Sequence, residues 1–350
     1  MSRLLSALLL APLVLASGAH AADVEGSLRV TGRMLVDSNA PRDFSDDQPG
    51  GDPSPDMAFS LLGAAEARVT GERLQLVGRY ELGGRKYLSY ADEDVLVQAA
   101  AVEGSTVLGT QLAVGVEGRG KDRRGGSRDY SDLGAGAFLE YAPEVRLALR
   151  VRAGAHRFVY RPDGRANFGG PEGGFLGRYR FNRRHALSVF GDYGARRYGV
   201  EARLPPGREG PSLGRRQDGA LSAGAGYTYR GAWALGLTYT YQEVSSNSFG
   251  ETVLRHRLSG SAGLRLPWRL TLLAQGAVGL SRYPDGIYLS PEIILVEEDE
   301  GQNSLSLKLA RPVNEHMDVE LSYGLYSTTL QRNELSYFRQ VVGLGLTWRL

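Results

Sequence analysis

The chain has 350 residues, with 41 basic and 39 acidic side chains and a formal charge of +2. It contains no cysteine, which excludes disulfides and thiolate metal sites as sources of stability. Glycine (47) and tyrosine (18) are abundant for a soluble domain, and of the basic residues only Lys86, Lys121 and Lys308 are lysines.

Arg3 forms a short positive region, and Leu4 to Ala16 is an apolar stretch too short to cross a bilayer as a helix. Ala19-His20-Ala21 then matches a signal-peptidase cleavage pattern, so residues 1–22 read as a signal peptide and 23–350 as one exported domain. No later segment reads as a transmembrane helix. From Val24 onward the chain instead alternates apolar and polar residues, the pattern of strands with one greasy and one wet face.

The first strand falls around Leu28–Val36. In Val145–His156, Val145, Leu147, Leu149, Val151 and Ala153 share one face, against Arg146, Ala148, Arg150, Arg152 and Gly154. In Trp233–Gln242 the outward set is Trp233, Leu235, Leu237, Tyr239 and Tyr241. The chain ends on the same pattern: Phe338, Val342, Leu344, Leu346, Trp348 and Leu350 oppose Arg339, Gly343, Gly345, Thr347 and Arg349. Tight turns are expected near Gly71, Gly104, Pro143, Asn182, Gly231, Pro267 and Asn314. Longer polar connections are expected near 37–56, 83–92, 119–131, 162–171, 203–217, 245–251, 284–302 and 330–336. Short turns and long loops in alternation imply an all-β, antiparallel up-and-down transmembrane barrel of about 16 strands, with 14 or 18 as alternatives. Both termini then lie on the short-turn, periplasmic side, and the barrel belongs in the outer membrane.

Ile287–Val296 offers an extra strand, but an internal repeat favours a loop or hairpin extension there. Arg197-Tyr198 matches Arg282-Tyr283, Leu221 matches Leu305, Tyr239 matches Tyr323 and Arg255 matches Arg339, at one spacing of about 84 residues, or four strands. Sixteen strands about 4.8 Å apart and tilted by about 40° enclose a lumen roughly 30 Å across between backbones, enough for an aqueous channel.

Phase places Arg29, Arg33, Arg68, Arg73, Arg79, Arg85, Arg146, Arg150, Arg152, Arg178, Arg180, Arg196, Arg255, Arg257, Arg265, Lys308, Arg339 and Arg349 inside. The inward acids are fewer: Glu66, Glu81, Glu117, Glu140, Asp192 and Glu320. Such a lumen favours anions where the arginines are free, and is structural where they pair with acids. Arg146, Arg150 and Arg152, with Arg178 and Arg180 on the next strand, form the densest group and the first candidate selectivity ladder; Arg79, Arg255 and Arg257 are further lumen candidates.

The loops differ in sign. Residues 37–56 and 292–300 are acidic, whereas Arg119, Lys121, Arg123, Arg124 and Arg128 make 119–128 basic. Solvation explains such tips; they also suit lipopolysaccharide through divalent cations or its phosphates. Enzyme signals are weak. His156, His185, His256 and His316 are scattered, and Ser259-Gly260-Ser261-Ala262-Gly263 lies on a strand with the wrong first residue for a nucleophile elbow. No enzyme, metal site, cofactor or nucleic-acid partner is expected.

Tyr239-Thr240-Tyr241-Gln242-Glu243-Val244-Ser245-Ser246-Asn247-Ser248, followed by Arg255-His256-Arg257-Leu258, resembles the long-looped hairpins of export-type outer-membrane barrels. Leu264-Arg265-Leu266-Pro267-Trp268 resembles their periplasmic turns. The resemblance covers roughly residues 190–350. Such barrels often follow tetratricopeptide repeats, as in poly-N-acetylglucosamine exporters; this chain has no such repeat and ends on Leu350 rather than an aromatic. The resemblance implies a porin-like or polymer-export conduit. Its expected partners are outer-membrane lipid and lipopolysaccharide, the barrel-assembly machinery and a periplasmic polysaccharide-export component. The alternative is a non-conducting scaffold or adhesion barrel acting through its loops.

Overall fold

The structure is a computed structural model that describes residues 23–41, 54–125, 129–208, 210–285, 303–330 and 335–350. The chain forms sixteen strands: β1 Asp23–Asp37, β2 Asp56–Thr70, β3 Leu74–Tyr87, β4 Val95–Val107, β5 Leu112–Arg124, β6 Tyr130–Glu144, β7 Leu147–Tyr160, β8 Phe168–Arg180, β9 His185–Glu201, β10 Arg215–Arg230, β11 Trp233–Ser246, β12 Val253–Arg265, β13 Thr271–Arg282, β14 Asn303–Pro312, β15 Met317–Leu330 and β16 Leu335–Arg349. Each pairs antiparallel with its sequence neighbours, and β1 pairs with β16, so the sheet is a closed up-and-down barrel. Closure runs from Arg29↔Arg349 to Asp37↔Val341, and Leu28 and Leu350 exchange backbone hydrogen bonds of 3.0 and 2.9 Å beyond it. The terminal leucine is therefore a ladder residue of the seam.

Alternation explains the wall. Leu344, Leu346 and Trp348 are at least half exposed on the outside, whereas Arg339 and Thr347 are buried inside. With the sheet closed and no edge strand, such a wall can sit in hydrocarbon. Among the described residues no helix is long and apolar enough to cross a membrane; the strands would do so. Outward aromatics gather near the short turns, where Tyr179 meets Phe181 at 5.1 Å and Tyr229 meets Trp233 at 4.7 Å, and again on the long-loop side around Tyr239 and Tyr241. Such rings suit the two membrane interfaces.

The four-strand repeat holds in space, since Arg255 of β12 and Arg339 of β16 are both inward and buried, and Tyr239 of β11 and Tyr323 of β15 both face out. Residues 1–22 and Ile287–Val296 lie outside the described residues. The turn expected near Gly104 is displaced: β4 continues to Val107, and the turn occupies residues 108–111. Strands also enter seven of the eight expected loops, most deeply at 83–87, 119–124, 168–171 and 215–217. The cause is glycine used as wall rather than as turn. Leu76 lies 3.5 Å from where a Cβ would stand on Gly104, and Leu133 lies 3.2 Å from that point on Gly120, so neighbouring side chains fold over the bare positions.

Gly170 is the tightest of these positions, because an added Cβ would overlap the Ala195 carbonyl of the next strand. Gly170→Ala should therefore destabilise the barrel by about 1–3 kcal/mol through displacement of backbone. Gly32→Ala, where nothing stands within 4 Å, should be close to neutral. Urea unfolding from lipid vesicles, followed by tryptophan fluorescence, compares the two.

Candidate functional site

The inner wall from β4 to β9 carries one connected charge network. Arg150 of β7 donates from both terminal nitrogens to Glu103 of β4, at 3.2 and 3.0 Å, and from Nη2 to Glu117 of β5 at 2.7 Å. Its guanidinium also lies 3.5 Å from the Phe138 ring centroid. Arg152 binds Asp192 of β9 through Nε and Nη2, at 3.0 and 2.6 Å, and approaches Glu117 at 3.4 Å. Arg119 Nη2 of β5 donates to both carboxylate oxygens of Glu172 of β8, at 2.8 and 2.9 Å. His156 Nε2 stands 2.6 Å from Asp132, with Nδ1 4.0 Å from Glu172. Strand alternation aims all these groups inward, and antiparallel register brings residues far apart in sequence to one level.

The expected ladder is thus differently arranged. Arg150 and Arg152 are together, but Arg150 is matched by two carboxylates and Arg152 by three. Arg146 occupies the tight turn before β7, exposed, and Arg73 likewise lies in the turn between β2 and β3. Arg178 and Arg180 face the lumen near the short-turn end of β8, exposed and without an ion pair among the described residues. Arg79 pairs with Glu66 at 3.1 Å. Arg255 is buried and donates to Ser281 Oγ at 3.0 Å. Arg257 faces the lumen two residues further down β12, without an ion pair among the described residues.

Three acids of the network, Glu103, Asp132 and Glu172, were not among those expected inside. Glu103 and Glu172 adjoin a glycine or proline that reads as a turn or loop, Asp132 follows directly on the expected loop at 119–131, and each lies within a strand. The basic segment 119–124 is likewise wall. Arg119, Lys121 and Arg123 point inward, and only Arg124, paired with Asp122 at 2.8 Å, remains at the outer rim. Continued alternation through those glycines was the signal that could have placed them.

A second cluster joins the closure seam. Glu320 of β15 is 1% exposed and accepts from Arg33 Nε of β1 at 2.5 Å, from Lys308 of β14 and from Thr347 of β16 at 2.8 Å. At the long-loop mouth Asp37 is chelated by Arg339 and accepts from the Tyr87 hydroxyl at 2.8 Å. Asp56 accepts from the backbone of Met57, Ser89 and Tyr90, at 2.7, 2.8 and 3.1 Å. These two acids of the expected acidic loop are therefore strand-end fasteners. In the loop after β7, the Arg165 side chain and backbone N–H hold the Asp163 carboxyl below its ordinary pKa.

An aromatic row crosses the same mouth on β6 to β9. Tyr130 and Phe158 are 5.5 Å apart, Phe158 stacks on Phe168 at 5.3 Å, and Phe168 meets Tyr198 at 5.3 Å. Arg196 lies 4.8 Å over Phe168 and Arg216 4.0 Å over Tyr198. Beneath this row a recess of about 300 Å³ opens between Arg152, Glu172, Asp192 and Arg216. At the opposite mouth, β8, β10, β12 and β16 end on Arg180, Arg230, Arg265 and Arg349, all in the inward phase. Arg349 is bound by Asp318; the other three have no ion pair among the described residues.

Among the described residues no serine is hydrogen-bonded to His156, and no group of three His, Asp or Glu is arranged to hold a metal ion. His256 faces outward and shares a 2.7 Å hydrogen bond with Tyr239. No family model and no curated protein matches the chain. Among solved structures it is similar to OprB of Pseudomonas putida, with a TM-score of 0.53 and 9% identity over 93% of this chain and 94% of that one. It is also similar to OmpF of Salmonella typhi, with a TM-score of 0.50 and 10% identity over 93% and 97% of the two chains. At these identities the likeness is one of fold, and the fold is that of outer-membrane porins.

Proposed function

We propose that the chain is an outer-membrane channel through which small anionic solutes diffuse, with no chemical step. The observation that carries this reading is the inversion of the wall. Its outside is apolar, its inside is lined by charge, and the described apolar core reduces to small clusters near the long-loop mouth. A ring of sixteen strands whose interior side chains prefer water supports a solvated lumen. The fold shared with OprB and OmpF is in keeping with it.

Anion preference is assigned to the short-turn mouth. Arg178, Arg180, Arg230 and Arg265 offer uncompensated positive charge there, whereas the β4–β9 network is held by its own carboxylates. An anionic polymer delivered from the periplasm would meet the same mouth first.

Planar-bilayer recording tests both parts. The wild type should conduct and pass chloride in preference to potassium. The combined variant Arg178→Gln, Arg180→Gln, Arg230→Gln and Arg265→Gln should keep its conductance while the anion/cation permeability ratio falls by roughly threefold or more. Absence of conductance, with the long loops intact and trimmed, would overturn the channel. Cation preference in the wild type would overturn the assignment of selectivity.

A further inference from the structure

Two arginines on the outer surface lack the partners that neighbouring charges have. Arg157 of β7 and Arg197 of β9 flank Gly169 of β8, which pairs in register with both. Their neighbours His156 and Arg196 touch Phe168 inside the lumen, so alternation sends Arg157 and Arg197 outward, and both are exposed. Three other charges of this rim are matched: Lys86 by Asp94 at 2.9 Å, Arg124 by Asp122 at 2.8 Å and Arg165 by Asp163 at 2.7 Å. Among the described residues Arg157 and Arg197 meet no carboxylate. Two strand spacings put their Cα atoms about 10 Å apart, and the glycine leaves the space between them open.

The rows beneath are unusual for a lipid-facing wall. Toward the short turns the next outward positions are Ala155, Pro171 and Ala195, then Ala153, Gly173 and Tyr193. Phe175 and Val151 continue below, each more than half exposed. The result is a shallow apolar trough with two free guanidinium groups at its head.

We propose that this is a binding site for a phosphorylated lipid of the surrounding leaflet, its phosphate between Arg157 and Arg197 and an acyl chain in the trough. Arginine is suited to the headgroup because its planar fork donates two parallel hydrogen bonds to phosphate oxygens. Continuity with the bilayer-facing belt favours a lipid over a free anion, since an ion held there would stand against hydrocarbon. The assignment rests on reading the barrel as membrane-embedded with its long loops outside, and it is independent of whether the lumen conducts.

Native mass spectrometry of the refolded full chain in detergent tests it, with dioctanoyl phosphatidic acid as the probe. The wild type should retain phosphatidic acid in preference to dioctanoyl phosphatidylcholine, and equimolar inorganic phosphate should not displace it. Arg157→Gln with Arg197→Gln should weaken retention about tenfold or more, either change alone by less. The Arg157→Lys, Arg197→Lys pair should fall between, since charge remains without the fork. Heat-modifiable gel mobility verifies folding, and unchanged single-channel conductance separates this site from the channel reading. Unchanged retention by the double glutamine variant would refute the site, and displacement by inorganic phosphate would make it a small-anion site instead.

Discussion

Glu320→Leu is expected to destabilise the barrel by about 3–5 kcal/mol. The carboxylate is almost fully buried, and its partners come from β1, β14 and β16. Thr347 also meets Thr31 at 2.8 Å, so one hydrogen-bonded cluster ties four strands across the seam. Leucine would leave Arg33 and Lys308 facing each other with no anion between them. Their side chains are 23% and 27% exposed, so lumen water relieves part of that cost and favours the lower end of the range. Replacing the cations as well, in Glu320→Leu with Arg33→Met and Lys308→Met, should recover more than half of the loss, because the penalty comes from unpaired charge rather than from a missing contact. Urea titration of folded and unfolded gel species in vesicles gives both numbers. A single-variant loss below about 1 kcal/mol would mean that backbone pairing alone holds the seam.

The architecture was legible because a lipid-embedded wall imposes one rule at every position. Val342 to Leu350 shows the rule without interruption, and its strand lies as the alternation requires. The rule becomes hard to read where outward positions are glycine. Gly104, Gly118 and Gly120 have no side chain to declare a face, so the acids and bases between them look like loop residues. Yet Glu103 and Glu117 face each other across β4 and β5 on the inner wall, and Arg119 is the next inward position of β5. Pairing is further from sequence still. Arg150 finds Glu103 forty-seven positions away, and Arg339 finds Asp37 three hundred and two away, through register and closure. A list of inward arginines therefore overstates free positive charge. Which charges cancel depends on strand neighbours, and that information resides in the closed sheet.

The same cancellation separates a selectivity ladder from a structural network, and a charge-neutral substitution distinguishes them. Arg150→Gln alone leaves Glu103 uncompensated and Glu117 with only Arg152, and should shift permeability toward cations by roughly threefold to tenfold. That result by itself fits either role. The deciding variant removes two cations and two anions together: Arg150→Gln, Arg152→Gln, Glu117→Gln and Asp192→Asn. If the arginines are free anion sites, this variant loses anion preference just as the single one does. If they are held by their acids, as the 2.7 Å contact to Glu117 and the 2.6 Å contact to Asp192 indicate, the permeability ratio should stay within about twofold of the wild type. Stability should change less than in the single variant, since the carboxylate that loses its cation is then Glu103, whose side chain is 43% exposed. Arg150→Gln alone also loosens the more buried Glu117 and should cost about 1–3 kcal/mol in this partly solvated wall. Reversal-potential measurements in asymmetric potassium chloride read the ratio directly. A neutral quadruple variant that turned cation-selective would return selectivity to the β7 arginines and remove it from the short-turn mouth.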